Sequence, residues 1–467
     1  MPIDSLHPEY EQWQPTWEKV RHFSQGEDVV KGKKDKYLES PSGISAREAR
    51  FKLYLSMAKF FPAVSRALEG YEGLIFRNDL NVQVPDAMKG NIPNITYSGV
   101  SINSFARQVF CERMLMGRYG ELVDYMPGDG KTLGRAFSKG YTAESIINWK
   151  IDHMHGVPRL SQVVLKEKRA KPLDAYTFEE YDVFRVLDLD PGYYHISEWM
   201  QNEKGEAIQV SDSIPDYNGQ KITEIPFMFY GVRENSATVE KPPMLDMVNL
   251  VQHDFHNSAD LEWGRHWVSI PQPWRAGFSD DESSTIEFGA TTVWDTTNEK
   301  ASAGMVEFSG AGLTALETAI SENRTEMAQL GALLLEGEKK SVESASSYRA
   351  RHSTRASFLQ SMAEIQSEGH TVALGFHAAF QGIPESQAES ISVELNKDFF
   401  AVQIDHNQIK AIMDLYLAGR ISKHTLFERL QSGEIIGSGE DFDEYESSLS
   451  EENVGMDDAD LDIGATG

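Results

Sequence analysis

GLTALETAISENRTEMAQLGALLLEGEKKSVESASSYRARHSTRASFLQSMAEIQSEGHTVALGFHAAFQG, residues 312–382, holds two helical patterns separated by a short charged break. In the first, Leu313, Leu316, Ile320, Met327, Leu330 and Leu334 recur at steps that stack apolar side chains along one stripe. In the second, Phe358, Met362, Ile365, Val372, Phe376 and Phe380 share a face, with Gly369 where that stripe would carry another large side chain. From Tyr348 to Gln381 this helix measures about 50 Å at 1.5 Å per residue, far beyond an average globular helix. Gly382 and Pro384 end it. The break, Gly337 to Glu343, has no apolar period and both signs of charge, and is expected to be a loop. Arg349, Arg351 and Arg355 crowd the first turns of the second helix, where the macrodipole disfavours cations. They call for an anion: Glu336, Glu338 or Glu343 of this chain or a neighbour, or a phosphate backbone.

Before this stretch, Pro242-Pro243 precede a helix whose apolar side is Met244, Val248, Val251, Phe255 and Ala259. At about 100° per residue, Asp246, Asp254 and Asp260 project from the opposite side, a wet face in an isolated helix and an acidic wall if copies surround an axis. Ile270 to Ser309, punctuated by prolines and glycines, predicts a small β-rich insert with strands at Thr291–Trp294 and Met305–Phe308. Further upstream, Leu74 to Gly231 predicts an α+β unit. Its expected strands are Leu74–Phe76, Glu121–Tyr125, Arg159–Leu165, Tyr181–Leu187 and Gly192–Trp199, with one helix over Ser101–Arg118 and a hairpin loop at Asn202-Glu203-Lys204-Gly205. Trp13, Trp17, Val20 and Phe23 predict a helix near the start, followed by a basic tract at Lys31–Lys36 and a second helix over Ser45–Phe61. After the long helix, strands are expected at Ile391–Leu395 and Phe399–Ile404, then short helices at Asn407–Ala418 and Lys423–Gln431. Beyond Gly437 the chain is too acidic to pack and is expected to be disordered.

A chain of 467 residues suggests two or three packed units. No apolar run reaches membrane-spanning length. The start has no secretory pattern and Cys111 stands alone, so synthesis in a reducing interior is expected. With 72 acidic against 44 basic residues the formal charge is −28, which argues against a broad basic grip on nucleic acid but suits a surface that must let DNA slide past. Catalytic motifs do not emerge. PGDGKT at Pro127–Thr132 lacks the first glycine of a phosphate loop, since Tyr125 stands there. Neither Asp152-His153-Met154-His155 nor His253, His256 and His266 has a zinc spacing, so no metal or cofactor is expected.

HPEYEQWQPTWEKVRHFSQGEDVVKGKKDKYL, SINSFARQVFCERMLMGRYGELVDYMP, YTAESIINW and DMVNLVQHDFHNSADLEWGRHWVSIPQPWRAGF, together with the order of elements, resemble a tailed-bacteriophage portal family long catalogued only as a domain of unknown function. The resemblance covers nearly the whole chain except the acidic tail. It implies an α+β, portal-like architecture assembled as a ring, usually of twelve subunits, at one capsid vertex, with double-stranded DNA passing through its channel without sequence specificity. It also implies these parts: 1–242, N-terminal helices and α+β wing; 243–269, a stem helix; 270–311, the clip; 312–336, the second stem helix; 337–347, the tunnel loop; 348–404, the long wing helix and strands; 405–436, crown helices; 437–467, the tail. Implied partners are the terminase large subunit, a head-tail adaptor and the major capsid or scaffolding protein, in the virion and with no membrane. Glu338, Lys339, Lys340 and Glu343 fall in the channel loop, where the lysines either touch phosphate or pair with neighbouring glutamates. Trp274 and Trp294 are either docking anchors of the clip or its own small core. The competing expectations are an enzyme with its site in 74–231 and a non-channel scaffolding protein.

Overall fold

Trp17, Val20 and Phe23 fall on one face and are fully buried in α1 (Pro8–Gln25), whose N-cap His7 accepts from the Glu9 amide. The computed structural model describes residues 2–41, 49–127, 134–154, 156–189, 192–202, 204–217, 220–270, 272–278, 296–306, 310–331, 345–397, 413–416, 418, 420–432, 442 and 445–447, with backbone alone for 154, 217, 272, 345–357, 428 and 430–432. After Gly26, at φ +98, the chain continues as α2 (Glu27–Gly32) and a short 3-10 turn. Two lysines of the basic tract are paired locally, Lys31 with Glu27 at 2.7 Å and Lys36 with Glu18 at 2.6 Å. α3 (Ala49–Met57) forms where expected but buries Phe51 and Tyr54, leaving Leu53 exposed. Residues 74 and 75, expected in a strand, end α4 (Ala63–Ile75) instead, because Ala63, Val64, Ala67 and Ile75 make one buried helix stripe.

The α+β expectation holds for the body. β1 (Asn81–Gln83) and α5 (Asp86–Lys89) lead to α6 (Ile102–Met116), which is capped by Ser101 and ended by Gly117 at φ +72. β2 (Arg118–Met126) and β3 (Arg135–Thr142) pair antiparallel. β4 (Ile146–Met154), β5 (Val157–Pro172), β6 (Phe178–Asp188), β7 (His195–Gln201) and β8 (Ala207–Ser213) make a five-stranded antiparallel meander. The β7–β8 turn closes where expected, with Gly205 N donating to Asn202 O at 2.8 Å. The two-residue strands β9 (Asp216–Tyr217) and β10 (Gln220–Lys221) pair with each other, and β11 (Phe227–Gly231) joins β2 to give a three-stranded sheet ordered β11-β2-β3. Most of the PGDGKT string lies outside the described residues.

Next come α7 (Leu245–Val268), β12 (Gln272–Ala276), β13 (Ser302–Val306), α8 (Leu313–Leu330) and the 36-residue α9 (Ala345–Phe380). α9 ends at Gly382, φ +69, where Ile383 N bonds Ala378 O at 3.0 Å. α10 (Glu385–Ala388) and β14 (Ser392–Glu394) follow, β14 pairing with β1. Near the C-terminus lies α11 (Lys423–Ser432). The strands expected at 291–294 and 399–404 lie outside the described residues. Of the acidic tail only 442 and 445–447 are described: Phe442 and Tyr445 pack on Phe427, with ring centroids 5.4 and 5.1 Å away, and Glu446 pairs with Lys423 at 2.7 Å.

Among the described residues nearly all the buried apolar side chains from Tyr10 to Leu395 form one contiguous cluster rather than two or three separate cores. The two larger sheets are also tied by charge. Glu167 of β5 meets Arg185 Nε at 2.9 Å and Lys139 Nζ at 2.9 Å and accepts from the Tyr141 hydroxyl at 2.6 Å, while Arg185 also reaches Asp124 at 3.1 Å. Burial by itself raises Glu167, but Arg185, Tyr141 and Lys139 outweigh it and hold the carboxyl down at about 2. A depressed carboxylate adds stability above its unfolded value, about 4.5, and that stability is lost as pH falls from there towards 2. Urea midpoints are therefore expected to drop between pH 5 and 3, and Glu167→Gln should lower the neutral midpoint and flatten the drop. A Glu167→Gln profile that parallels the parent's would contradict this.

Candidate functional site

α7 and α8 run antiparallel. Arg265 near the end of α7 meets Glu317 near the start of α8 at 2.7 Å, and Asp254 in mid-α7 meets Arg324 two turns further along α8. All five apolar positions expected on α7 are buried: Met244, Val248, Val251, Phe255 and Ala259. On α8, Met327 is buried and Leu330 is 48% exposed, so the predicted stripe is only partly covered within one chain.

The three aspartates do not share one surface. Asp246 is exposed in the first turn of α7, where the helix dipole favours it, and pairs with Lys241 Nζ at 2.7 Å. Asp260 is also exposed and accepts from the Tyr54 hydroxyl at 2.7 Å. Asp254 corrects the expectation of a wet face: its side chain is 0% exposed, because α8 covers it and brings Arg324 Nε to 3.3 Å. Burial raises its pKa against the pull of Arg324, whose guanidinium also lies 4.4 Å from the Phe61 ring centroid. Asp254 is a staple of the helix pair.

β12 and β13 form a hairpin at the far end of that pair. Trp274 opposes Gly304 across it and is 44% exposed, with its indole so close that a Cβ on Gly304 would sit 2.9 Å from Nε1. The tryptophan thus packs one side over Gly304 and leaves the rest of its ring exposed. Trp294, and all four residues expected in the channel loop, Glu338, Lys339, Lys340 and Glu343, lie outside the described residues.

A buried polar assembly was not foreseen. Where α9 crosses the three-stranded sheet, Glu121 accepts from the Ser138 and Tyr230 hydroxyls, and His370 Nδ1 lies 3.0 Å from the Tyr230 oxygen. Gln366 donates to Ala106 O at 2.7 Å. Arg113 of α6 donates to Gly231 O at 2.8 Å and to Met362 O and Gln366 Oε1 at 3.0 Å each. Ser138 Oγ also lies 2.9 Å from His377 Nε2. Serine, histidine and glutamate therefore meet in the unit where an enzyme site was the competing expectation. All are buried, and burial pushes His377 down to about 4, so it stays neutral. A substrate has no approach to Ser138 here, and the geometry supports a structural seam that fixes α9 against the sheet. The signals for it were Arg113 on the apolar face of its helix, and Gln366, His370 and His377 on one stripe of α9.

Among the described residues no group of three or more His, Cys, Asp or Glu side chains could hold a metal ion, and no helix is long and apolar enough to cross a membrane.

None of the curated proteins compared with this chain matches it. Three similar solved structures are of gene transfer agent particles. "Neck of empty GTA particle computed with C6 symmetry" has 12% identity, covers 80% of this chain and 90% of that chain, and has a TM-score of 0.42. "Virion of native gene transfer agent (GTA) particle" has 12% identity, coverage of 88% and 99%, and a TM-score of 0.42. "Neck of native GTA particle computed with C12 symmetry" has 11% identity, coverage of 88% and 98%, and a TM-score of 0.38. Residues 243–381, which begin just before α7 and end just after α9, match a family described as "Domain of unknown function (DUF4055)".

Proposed function

We propose that the chain is a portal protein of a tailed-bacteriophage type: one subunit of a closed ring at a capsid vertex, through which double-stranded DNA is packaged and ejected. The observation that carries the proposal is the arm formed by α7, the β12–β13 hairpin and α8. A helix leaves an α+β body, turns through a small β hairpin that displays Trp274, and returns antiparallel to itself before the long α9. This is the order of parts that the resemblance implies for wing, stem, clip and long wing helix.

In this reading the exposed Asp246 and Asp260 belong to a channel wall that repels phosphate and leaves DNA free to slide, while Asp254 holds the two stem helices together. Lys339 and Lys340 are proposed as weak, salt-sensitive phosphate contacts of the channel loop. The hairpin, with Trp274 half exposed, is the proposed docking end for the terminase large subunit and then a head-tail adaptor. Copies that each carry −28 repel one another, so assembly should improve with salt or divalent cations. Native mass spectrometry of the purified chain tests the proposal. A single discrete high-mass species supports it, and a monomer at every salt concentration overturns it.

A further inference from the structure

The five-stranded meander has two open edges. On one side β4 pairs with β5 only as far as Leu165, while β5 runs on to Pro172 against β6. Among the described residues no strand pairs with Lys166–Pro172 on that side, a free edge about 23 Å long at 3.3 Å per residue. The arm that this stretch forms with β6 is exposed from Ala170 to Glu180, and Tyr176 at its turn is 91% exposed. A two-stranded ribbon is marginal in water by itself. An open cleft of about 600 Å3 flanks the base of the edge, with Lys166, Lys168 and Arg169 on one wall and Lys139, Tyr141 and Glu144 on the other. The wall charges are already met, Lys139 by Glu167 and Glu144 by Arg21, each at 2.9 Å.

On the other side lies β8, exposed at every residue and paired only with β7. Its sequence, Ala207-Ile208-Gln209-Val210-Ser211-Asp212-Ser213, has none of the lysines or prolines that keep edge strands apart, and Ile208 and Val210 are half exposed. The two edges match in direction, level and charge. Each strand of the meander is antiparallel to the next, so β5 and β8 run opposite ways. Ile208 sits opposite Met200, Met200 opposite Val183 and Val183 opposite Glu167, which puts β8 level with the base of the free edge. Lys166–Pro172 carries four bases against one acid, and Asn202–Ser213 carries three acids against one lysine. The acids that pair with the arm's bases inside the chain, Asp182, Glu180 and Glu198, lie one or two strands further in.

We propose that Lys166–Pro172 of one chain and Ala207–Ser213 of a second copy pair as antiparallel neighbours, joining the meanders of successive subunits edge to edge. The two stretches lie on opposite edges of one sheet, so the contact is head-to-tail and repeats about a rotation axis. A shift of about four residues along the strands, about 13 Å, carries β8 past the end of β4, and strands tilted to the axis supply such a shift. The lysines refuse a second copy of their own edge and accept the acidic one, which sets the order of the subunits. The pairing rests on the self-association in the portal reading and adds the contact that makes it.

Disulfide trapping between two full-length variants tests the pairing. Cys111 is first replaced by Ser in both. One chain then carries Gln209→Cys and the other Lys166→Cys, Lys168→Cys or Ala170→Cys, so that a mixed link joins two chains, and Lys150→Cys, exposed on β4, replaces the arm position as the control. The mixtures are oxidised mildly at a salt concentration where the parent assembles. A disulfide needs Cα atoms within about 7 Å, so at least one arm position should link to Gln209→Cys at least about tenfold faster than the control does. Control rates at all three arm positions within closed rings overturn the pairing and leave the portal reading standing. Fast links in assemblies that never close support the pairing and end the ring, while a monomer at every salt concentration overturns both. Should the variants fold poorly, hydrogen exchange on the unmodified chain decides. Amides within Ala207–Ser213 that exchange at least about tenfold slower in the assembly than in the dilute chain support the pairing, and unchanged rates overturn it.

Discussion

Gly369→Ala is expected to destabilise the fold by about 2–4 kcal/mol, although alanine is the better helix former by up to about 1 kcal/mol. The reason is the ring of Tyr230: a Cβ on Gly369 would lie 2.4 Å from its Cε1. Tyr230 cannot step aside cheaply, because it is fully buried and its hydroxyl donates to Glu121 beside His370. Either α9 moves off the sheet or a buried hydrogen bond breaks. Gly375, in the same helix, meets no atom within 4 Å of an added Cβ, so Gly375→Ala should stabilise by up to about 1 kcal/mol. Opposite signs in urea unfolding support the close crossing of α9 and the sheet. Two stabilising substitutions would contradict it.

Arg324→Ala is expected to cost about 2–3 kcal/mol, the low end for breaking a buried pair because the arginine itself is partly exposed. It leaves the Asp254 carboxylate enclosed and unpaired beneath α8. Asp254→Asn should be far milder and close to neutral. The pH dependence carries the sign: burial raises the folded pKa of Asp254 above its unfolded value, so the protonated form is favoured in the fold. This residue's contribution is therefore most favourable below the unfolded pKa and declines as pH rises through the folded one. Arg324→Ala should lengthen that decline, and Asp254→Asn should abolish it. Equal losses for both substitutions at neutral pH would mean that Asp254 acts as an exposed wall residue after all.

Those two sites also mark where the sequence was legible and where it was not. The buried side of α7 followed directly from periodicity, because Met244, Val248, Val251, Phe255 and Ala259 are the apolar stripe and nothing polar competes for it. Asp254 was misjudged since a helix taken alone shows its own faces, while burial of this carboxylate depends on Arg324, 70 residues away. The face of α9 was read only in part, for a related reason. Of the six residues placed on one face, Met362 and Phe380 are buried but Phe358 and Val372 are 42% and 46% exposed, whereas Gln366, His370 and His377 are buried. An apolar count cannot find a face that packs through hydrogen bonds to Glu121, Tyr230, Ser138 and Arg113, all distant in sequence. Leu74 to Phe76 read as a strand on composition because three apolar residues in a row carry no period of their own. β5 to β8 of the antiparallel meander, by contrast, were visible in their β-branched and aromatic runs and in the Asn-to-Gly turn at 202–205, whereas β4 was not expected. For the candidate site, the sequence marked a β-rich insert and singled out Trp274 but not the strand that carries it, β12, while the polar seam left only spacing clues.

The central claim is a closed ring with the α7–α8 arm around a channel, and electron microscopy of the purified full-length chain tests it most directly. The account predicts end-on views of one closed ring with a central opening, and side views in which the β12–β13 hairpins project together from one end. Single compact particles, or assemblies related by two-fold axes with no through-channel, would contradict it.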